Sequence, residues 1–304
     1  MMNRDVVINT VSDAHQALGL DAPKHPLVAV IRNKNVKNSA TFENTKVILN
    51  LYNIVLKVDV CGDLKYGLNS YDYQSGTLLF TAPGQVLAYQ EIQDSSESKD
   101  GWNLVFHPDL IRKSTLSEKI RKYSFFYYRL NEALHLSTEE KQTIEELLEK
   151  ITKEYSQNLD QHSQHLIISN IELLLHYCIR FYDRQFYTRS NLNSDLISNF
   201  EQLVARYYDQ KLMTDNGIPN VKYCADQLNL SAKYLSDLLK KETGKTAQEH
   251  LHLIIIEKAK NSLLNSTSSI SQIGYELGFE YPQYFSNLFK SKTGMSPKEF
   301  RKLN

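Results

Sequence analysis

The chain has 304 residues, 41% of them hydrophobic, and its 35 Lys+Arg balance 35 Asp+Glu to a formal net charge of +0. That length leaves room for two or three domains, each with a core of its own. The balanced charge excludes a protein held to nucleic acid or anionic lipid by bulk positive charge alone, and no apolar run approaches the ~20 residues that span a bilayer.

The polar start Met1-Met-Asn-Arg-Asp5 does not read as a secretory leader, so a cytoplasmic protein is expected. Cys61, Cys178 and Cys224 stand far apart, a pattern that suits reduced thiols rather than a disulfide or zinc framework.

Between Pro26 and Pro108 the chain is built of short β-branched or aromatic runs: 28–31, 46–52, 54–60, 71–73, 77–80, 86–89 and 102–106. Gly62, Gly67, Gly76, Pro83-Gly84 and Gly101 punctuate them, which predicts the strands of a sandwich or small barrel. Tyr52, Tyr71, Tyr73, Phe80, Tyr89, Trp102 and Phe106 would either fill the core or line a pocket for a small-molecule effector. A metal-dependent enzyme on such a barrel needs clustered histidines with a carboxylate, and His107 is the only histidine in the stretch, so neither a catalytic metal site nor a cofactor is expected. His15 and His25 precede the barrel in no ligand spacing and are expected on the surface or in loops.

Helical periodicity follows. An aromatic-rich helix is expected over 116–136. Ser137 or Thr138 opens a second helix carrying Ile144, Leu147, Leu148, Ile151 and Tyr155, and a third starts near Asp160 with a wide stripe of Ile167, Ile171, Leu174, Leu175, Cys178 and Phe181. A stripe that wide has to cover the barrel or another chain. Asn191-Leu-Asn193-Ser194 reads as a hinge. The expected domains are therefore 1–115, 116–190 and 195–304.

The most informative feature is a repeat. Ala225–Thr246 recurs as Gly274–Ser296 with one extra residue in the second turn, and each copy reads as a short helix, a tight turn and a longer amphipathic helix. In the first copy Tyr234, Leu235, Leu238 and Leu239 make the inward stripe; in the second Tyr284, Phe285, Leu288 and Phe289 are expected to do the same. Ser231 is a natural N-cap, Pro282 suits the first helical position, and Gly244 and Gly294 sit where helices stop. Thr246 with Glu249 forms a capping box that opens one joining helix, whose apolar face runs through Leu251, Ile255, Ala259 and Leu263 to Asn265. Its roughly nineteen residues span about 28 Å, near the ~34 Å repeat of a duplex. Ser269 with Gln272, and Ser296 with Glu299, read as further boxes.

Two probes on one rod predict paired contacts to double-stranded DNA. The candidate contacts are Ser231, Lys233, Ser236, Asp237 and Lys240 in the first copy, and Tyr281, Gln283, Ser286, Asn287 and Lys290 in the second, with short polar groups for base edges and lysines for phosphates. Residues 201–304 hold fourteen Lys+Arg against eleven Asp+Glu, a modest net of +3. Stacked helical hairpins used as a protein-binding surface are the bland alternative, but such solenoids also repeat their joining helix, and here only the hairpins recur.

Ile273-Gly-Tyr-Glu-Leu277-Gly-Phe279, Tyr284-Phe285-Ser286, Leu288-Phe289-Lys290 and Lys292-Thr-Gly294-Met-Ser-Pro297 resemble the closing signature of the AraC/XylS family of bacterial transcription regulators. The resemblance covers about the last hundred residues and implies seven helices with two helix-turn-helix subunits around a linker helix. It also implies an α+β chain: a cupin-like jelly-roll sensor first, helices that make a homodimer next, and an all-α DNA-binding domain last. An activator or repressor follows, with RNA polymerase as a further partner. Asp237 and Asn287 depart from the family pattern, standing where a basic residue is common; an aspartate there can accept from cytosine N4 or simply cap a neighbour. The rival from another class is a cupin-type metal enzyme with an accessory helical domain.

Overall fold

The computed structural model describes residues 5–37, 46–57, 76–88, 101–158 and 160–302. The chain divides into two units, Met1–Thr188 and Arg189–Asn304. Tyr71, Tyr73, Tyr89 and Cys61, with the strand expected over 71–73, lie outside the described residues.

The first unit is mixed helix and sheet. Its strands are β1 (Asp5–Ile8), β2 (Val28–Arg32), β3 (Lys46–Leu49), β4 (Tyr52–Lys57), β5 (Thr77–Thr81), β6 (Gln85–Ala88) and β7 (Gly101–Phe106), and helix α1 (Val11–Ala17) follows β1. A last strand, β8 (Leu134–His135), completes a five-stranded antiparallel sheet of order β2-β7-β4-β5-β8; the smaller sheet runs β1-β3-β6, with β1 and β3 parallel. The single run expected over 46–52 is in fact divided between the two sheets. Asn50 donates its N–H to the Ile8 carbonyl, Leu51 is fully buried, and the chain then enters the other sheet as β4. Strand β1 is too short to show strong alternation; a capping box between Thr10 and Asp13, itself a local sequence signal, fixes the start of α1.

Period-two alternation assigns the faces. Ala29, Val105, Asn53 and Thr81 pair across four strands on one face of the larger sheet. There Ala29, Ile31 and Val105 share a hydrophobic cluster with Ile8, Val47 and Leu49 of the smaller sheet, so the two sheets are joined across it. The opposite face presents Tyr52, Ile54, Leu56, Leu78, Phe80, Trp102, Leu104 and Phe106.

That second face explains why 116–136 is not one helix. Beyond α2 (Pro108–Ile111) and α3 (Leu116–Lys119) it breaks into 3-10 turns at Ile120–Lys122, Ser124–Tyr127 and Leu130–Glu132 before β8. Phe125 and Phe126 are drawn onto Phe80 at 4.5 and 5.6 Å between ring centroids, Phe126 also meets Tyr52 at 5.4 Å, and extended backbone at Tyr123 interrupts the helix. Burying large rings outweighs the few tenths of a kcal/mol per residue that helix propensity offers.

The next two helices form as expected, α4 (Thr138–Ser156) under a Ser137–Glu140 capping box and α5 (Ser163–Thr188). Their predicted stripes are buried and pack against each other. Helix α5 also grips the sheet. Gln185 accepts from His135 N–H at 2.8 Å and donates to the Ala133 carbonyl at 3.1 Å, Arg184 pairs with Glu140 at 2.6 Å, and the Tyr182 ring stacks on Phe125 at 5.6 Å. Helix α6 (Ser190–Asp209) starts one residue beyond α5, so the hinge expected at 191–194 is helical and the division between the units falls at Arg189.

The second unit is all-helical: after α6 come α7 (Met213–Asn216), α8 (Val221–Gln227), α9 (Ala232–Thr243), α10 (Ala247–Asn265), α11 (Ile270–Glu276), α12 (Pro282–Thr293) and α13 (Pro297–Lys302). The resemblance implies seven helices; the additional one is the four-residue α7.

Candidate nucleic-acid interface

Helices α8 and α9 form the first helix-turn-helix, α11 and α12 the second. Both turns close with the same bond: Leu230 N–H to the Ala225 carbonyl at 2.8 Å, and Phe279 N–H to the Gly274 carbonyl at 3.0 Å. Each needs a residue of positive φ just before it, Asn229 (φ 56) in the first copy and Gly278 (φ +92) in the second. Only glycine fits at 278, because a Cβ there would lie 2.9 Å from the Gly217 carbonyl carbon and 3.0 Å from Ile218 N.

Helix α9 buries Tyr234, Leu235, Leu238 and Leu239 as its spacing predicts. Helix α12 departs from expectation. Phe285 and Phe289 are fully buried and Leu288 partly so, but Tyr284 is 64% exposed. Tyr284 sits at the edge of the stripe on a helical wheel; in the first copy α6 packs on α8 and α9, while α12 packs chiefly against α10, α11 and α13. An edge position is buried only where a further element covers it.

The candidate contacts divide accordingly. On α9, Lys233 and Lys240 are exposed two turns apart, Asp237 and Ser236 are half-buried between them, and the Ser236 hydroxyl oxygen accepts at 3.4 Å from Ala247 N–H. Ser231 is 9% exposed and its hydroxyl oxygen caps α9 by accepting from Tyr234 N–H at 3.1 Å, so its side chain is taken up by the fold rather than offered to a base. On α12, Gln283, Asn287 and Lys290 share one exposed face at helical i, i+4, i+7 spacing, Tyr281 is exposed at the N-cap, and Ser286 is half-buried.

Both helices end on a left-handed glycine, Gly244 and Gly294, with Pro282 in the first turn of α12. The Thr246–Glu249 box opens α10, and Ser296 with Glu299 repeats it at α13, with Ser296 N–H donating to the carboxylate at 2.7 Å. The box expected at Ser269 is only half made: Ser269 accepts from Gln272 N–H, while the Gln272 amide turns to Glu276 instead. Helix α10 buries Leu251, Ile255, Ala259 and Leu263 and touches α8 and α9 on one side of the repeat, α11, α12 and α13 on the other. The N–H of Thr246, then its hydroxyl, hold the Glu249 carboxyl below the usual carboxylate range; Lys292 of α12 and Lys240 of α9 add to the effect, so a last-turn lysine of each longer helix acts on one carboxylate.

Elsewhere the candidate groups are structural. Trp102 and Phe106 are fully buried, Phe80 nearly so, and Tyr52 stacks on Phe106 at 5.0 Å. These rings lie on the sheet face that Phe125, Phe126 and Tyr182 cover, so they are core and not the walls of an open pocket. His25, expected at the surface or in a loop, lies in the loop before β2 and is buried there; its Nδ1 accepts from Leu27 N–H at 3.1 Å, and burial lowers its pKa. His107 caps α2. Cys178 and Cys224 are buried free thiols, Cys224 pushed by burial up to about 11. Among the described residues no three His, Cys, Asp or Glu side chains are grouped to hold a metal, and no helix is long and apolar enough to cross a membrane.

Two helix-turn-helix units with polar, cationic outer faces on one shared helix define a DNA-binding domain. Residues 224–303 match the family model described as "Helix-turn-helix domain". Over 77 residues the chain is 38% identical to the HTH-type transcriptional activator RhaS of Escherichia coli, a stretch that is 25% of this chain and 28% of that protein. Two similar solved structures are the C-terminal domain of AraT, a response regulator from Geobacillus stearothermophilus (29% identity, 36% of this chain and 85% of that one, TM-score 0.32), and the C-terminal domain of the two-component response regulator yesN from Fusobacterium nucleatum (28%, 33% and 96%, 0.29). The C-terminal unit thus holds a helix-turn-helix domain similar to that of HTH-type transcriptional activators. The match spans little more than a quarter of the curated relatives' length.

Proposed function

We propose that this chain is a cytoplasmic, sequence-specific DNA-binding transcription regulator without a catalytic role. The observation that carries the reading is the pair of outward faces, Lys233 with Lys240 on α9 and Gln283, Asn287 and Lys290 on α12, held by the one helix α10. Amide side chains suit adenine edges and lysines suit phosphates, so the second copy discriminates more and the first anchors more.

In this reading residues 1–115 are a cupin-like sensor, 116–190 carry the homodimer contact, and 195–304 meet the duplex. Binding of a small-molecule effector, or a change of dimer state, shifts how the two recognition helices are presented, and RNA polymerase reads the outcome. The joined sheets of the first unit support a sensor of this architecture, and the RhaS likeness supports regulation. Selection of bound duplexes from random oligonucleotides with the full chain tests the core of the proposal: one enriched motif in two parts about a helical turn apart is expected, and no enrichment would sink it. Sedimentation at micromolar concentration tests the homodimer, with a single monomer species as the adverse result. Metal analysis of purified protein tests the rival cupin enzyme, which requires a bound transition metal.

A further inference from the structure

We infer that Tyr284 reads DNA sequence, its ring packing on the C5-methyl of a thymine in the major groove beside the adenine that Gln283 or Asn287 holds. The inference rests on the regulator reading and adds to it a residue and a base.

Tyr284 occupies the first turn of α12, the part of a recognition helix that reaches base edges. It is 64% exposed, and its ring contact among the described residues is the edge of Tyr281, 5.7 Å away at 85°. Tyr281 is itself 53% exposed, and Glu280 beside it raises the pKa of its hydroxyl. Exposed rings rimmed by polar groups mark an interaction surface. The occupant follows from the neighbours. Helix α12 carries no Asp or Glu and ends in Lys290 and Lys292, which favours a polyanion over an ordinary protein surface. Asn287 follows Tyr284 by three residues and so borders the ring on the exposed face, while Gln283, one residue before it, is exposed on the same turn. Amide groups pair with adenine N6 and N7, and the base partner of adenine brings the one methyl in the groove. An aromatic flank on an amide-bearing helix therefore matches A·T pairs.

The test uses the full chain and the duplex it selects, with each thymine of the second half-site replaced singly by deoxyuridine, which removes only the methyl. At one position the wild type should lose about fourfold in affinity, the weight of one buried methyl group. Tyr284→Ala should show almost no loss there, while Tyr284→Phe should behave as wild type, because the contact is made by the ring. Equal losses in wild type and Tyr284→Ala, or no loss at any thymine in wild type, overturn the inference while leaving the regulator reading intact. Absence of any selected sequence overturns both. An unchanged thermal midpoint for Tyr284→Ala shows that the variant folds, as an exposed position requires.

Discussion

The two helix-turn-helix copies share a backbone and differ in what covers them. The positions of their left-handed residues, glycine stops and capping boxes repeat with an offset of 49 or 50 residues. Tyr234 and Tyr284 occupy equivalent places, yet Tyr234 is 5% exposed and Tyr284 64%. Helix α6 packs on α8 and α9 and is tied to α9 by Asn193, whose amide donates to Glu242 at 2.6 Å. The lesson is that a repeat fixes the local scaffold, whereas exposure, and with it function, depends on elements outside the repeat.

The turns offer the sharpest way to break this equivalence. Gly278→Ala forces a side chain into positive φ and into the backbone at Gly217, so it should cost about 2–3 kcal/mol in urea unfolding of the full chain. Asn229→Gly at the matching place should change stability by less than about 1 kcal/mol, since glycine adopts that conformation freely. Equal effects would mean that the second turn is not clamped against the segment after α7.

Base reading should be unequal too. Asn287→Ala or Gln283→Ala should lower discrimination between the selected site and single-base variants by about 1–3 kcal/mol in competition binding. Lys240→Ala and Lys290→Ala should instead weaken all duplexes alike and reduce the salt slope by about one. If Lys233 or Asp237 substitutions shift base preference more than those on α12, the division of labour between the copies is reversed.

How much of this was legible in the sequence differs by region, for a physical reason. The helical repeat was readable almost residue by residue because its signals are local: Ser231, Pro282, Gly244, Gly294 and the Thr246 box each act within one turn of chain. The wheel of α12 still misplaced Tyr284, because edge positions are decided by tertiary cover that spacing does not encode. In the first unit most strands were readable from alternation, but the aromatic run 123–128 was drawn out of helix by Phe80 and Tyr52, which lie far away in sequence. The choice between core and pocket for Tyr52, Phe80, Trp102 and Phe106 was open for the same reason, since alternation gives two faces without saying which one other elements cover.

Capping sharpens the comparison at smaller scale. Thr246→Ala and Ser296→Ala should each cost about 1 kcal/mol, and Ser269→Ala less, because its box lacks the return bond. Thermal melts at one protein concentration would separate the three.

The smallest expected effect concerns pH. Where the second copy places Phe300 against Phe289, the first places His250, which lies edge-on to Phe200 at 6.2 Å and 2.7 Å from the Thr243 hydroxyl. That hydroxyl spends its only proton on the Leu239 carbonyl at 2.7 Å, so His250 Nε2 must be the donor to it. Burial, the largest influence, and Lys245 lower the imidazole pKa below its ordinary 6.5, against the opposing carboxylates Glu201 and Glu249. The fold thus prefers the neutral ring while the unfolded chain takes up a proton first. Stability from this group is complete above 6.5 and declines as pH falls through that value toward the folded-state pKa. His250→Phe, which copies the second repeat, should flatten the fall in melting temperature between neutral and mildly acidic pH, leaving the part that His25 and His252, also lowered by burial, contribute. An unchanged pH slope in that variant would mean that position 250 is electrostatically equivalent in the two copies.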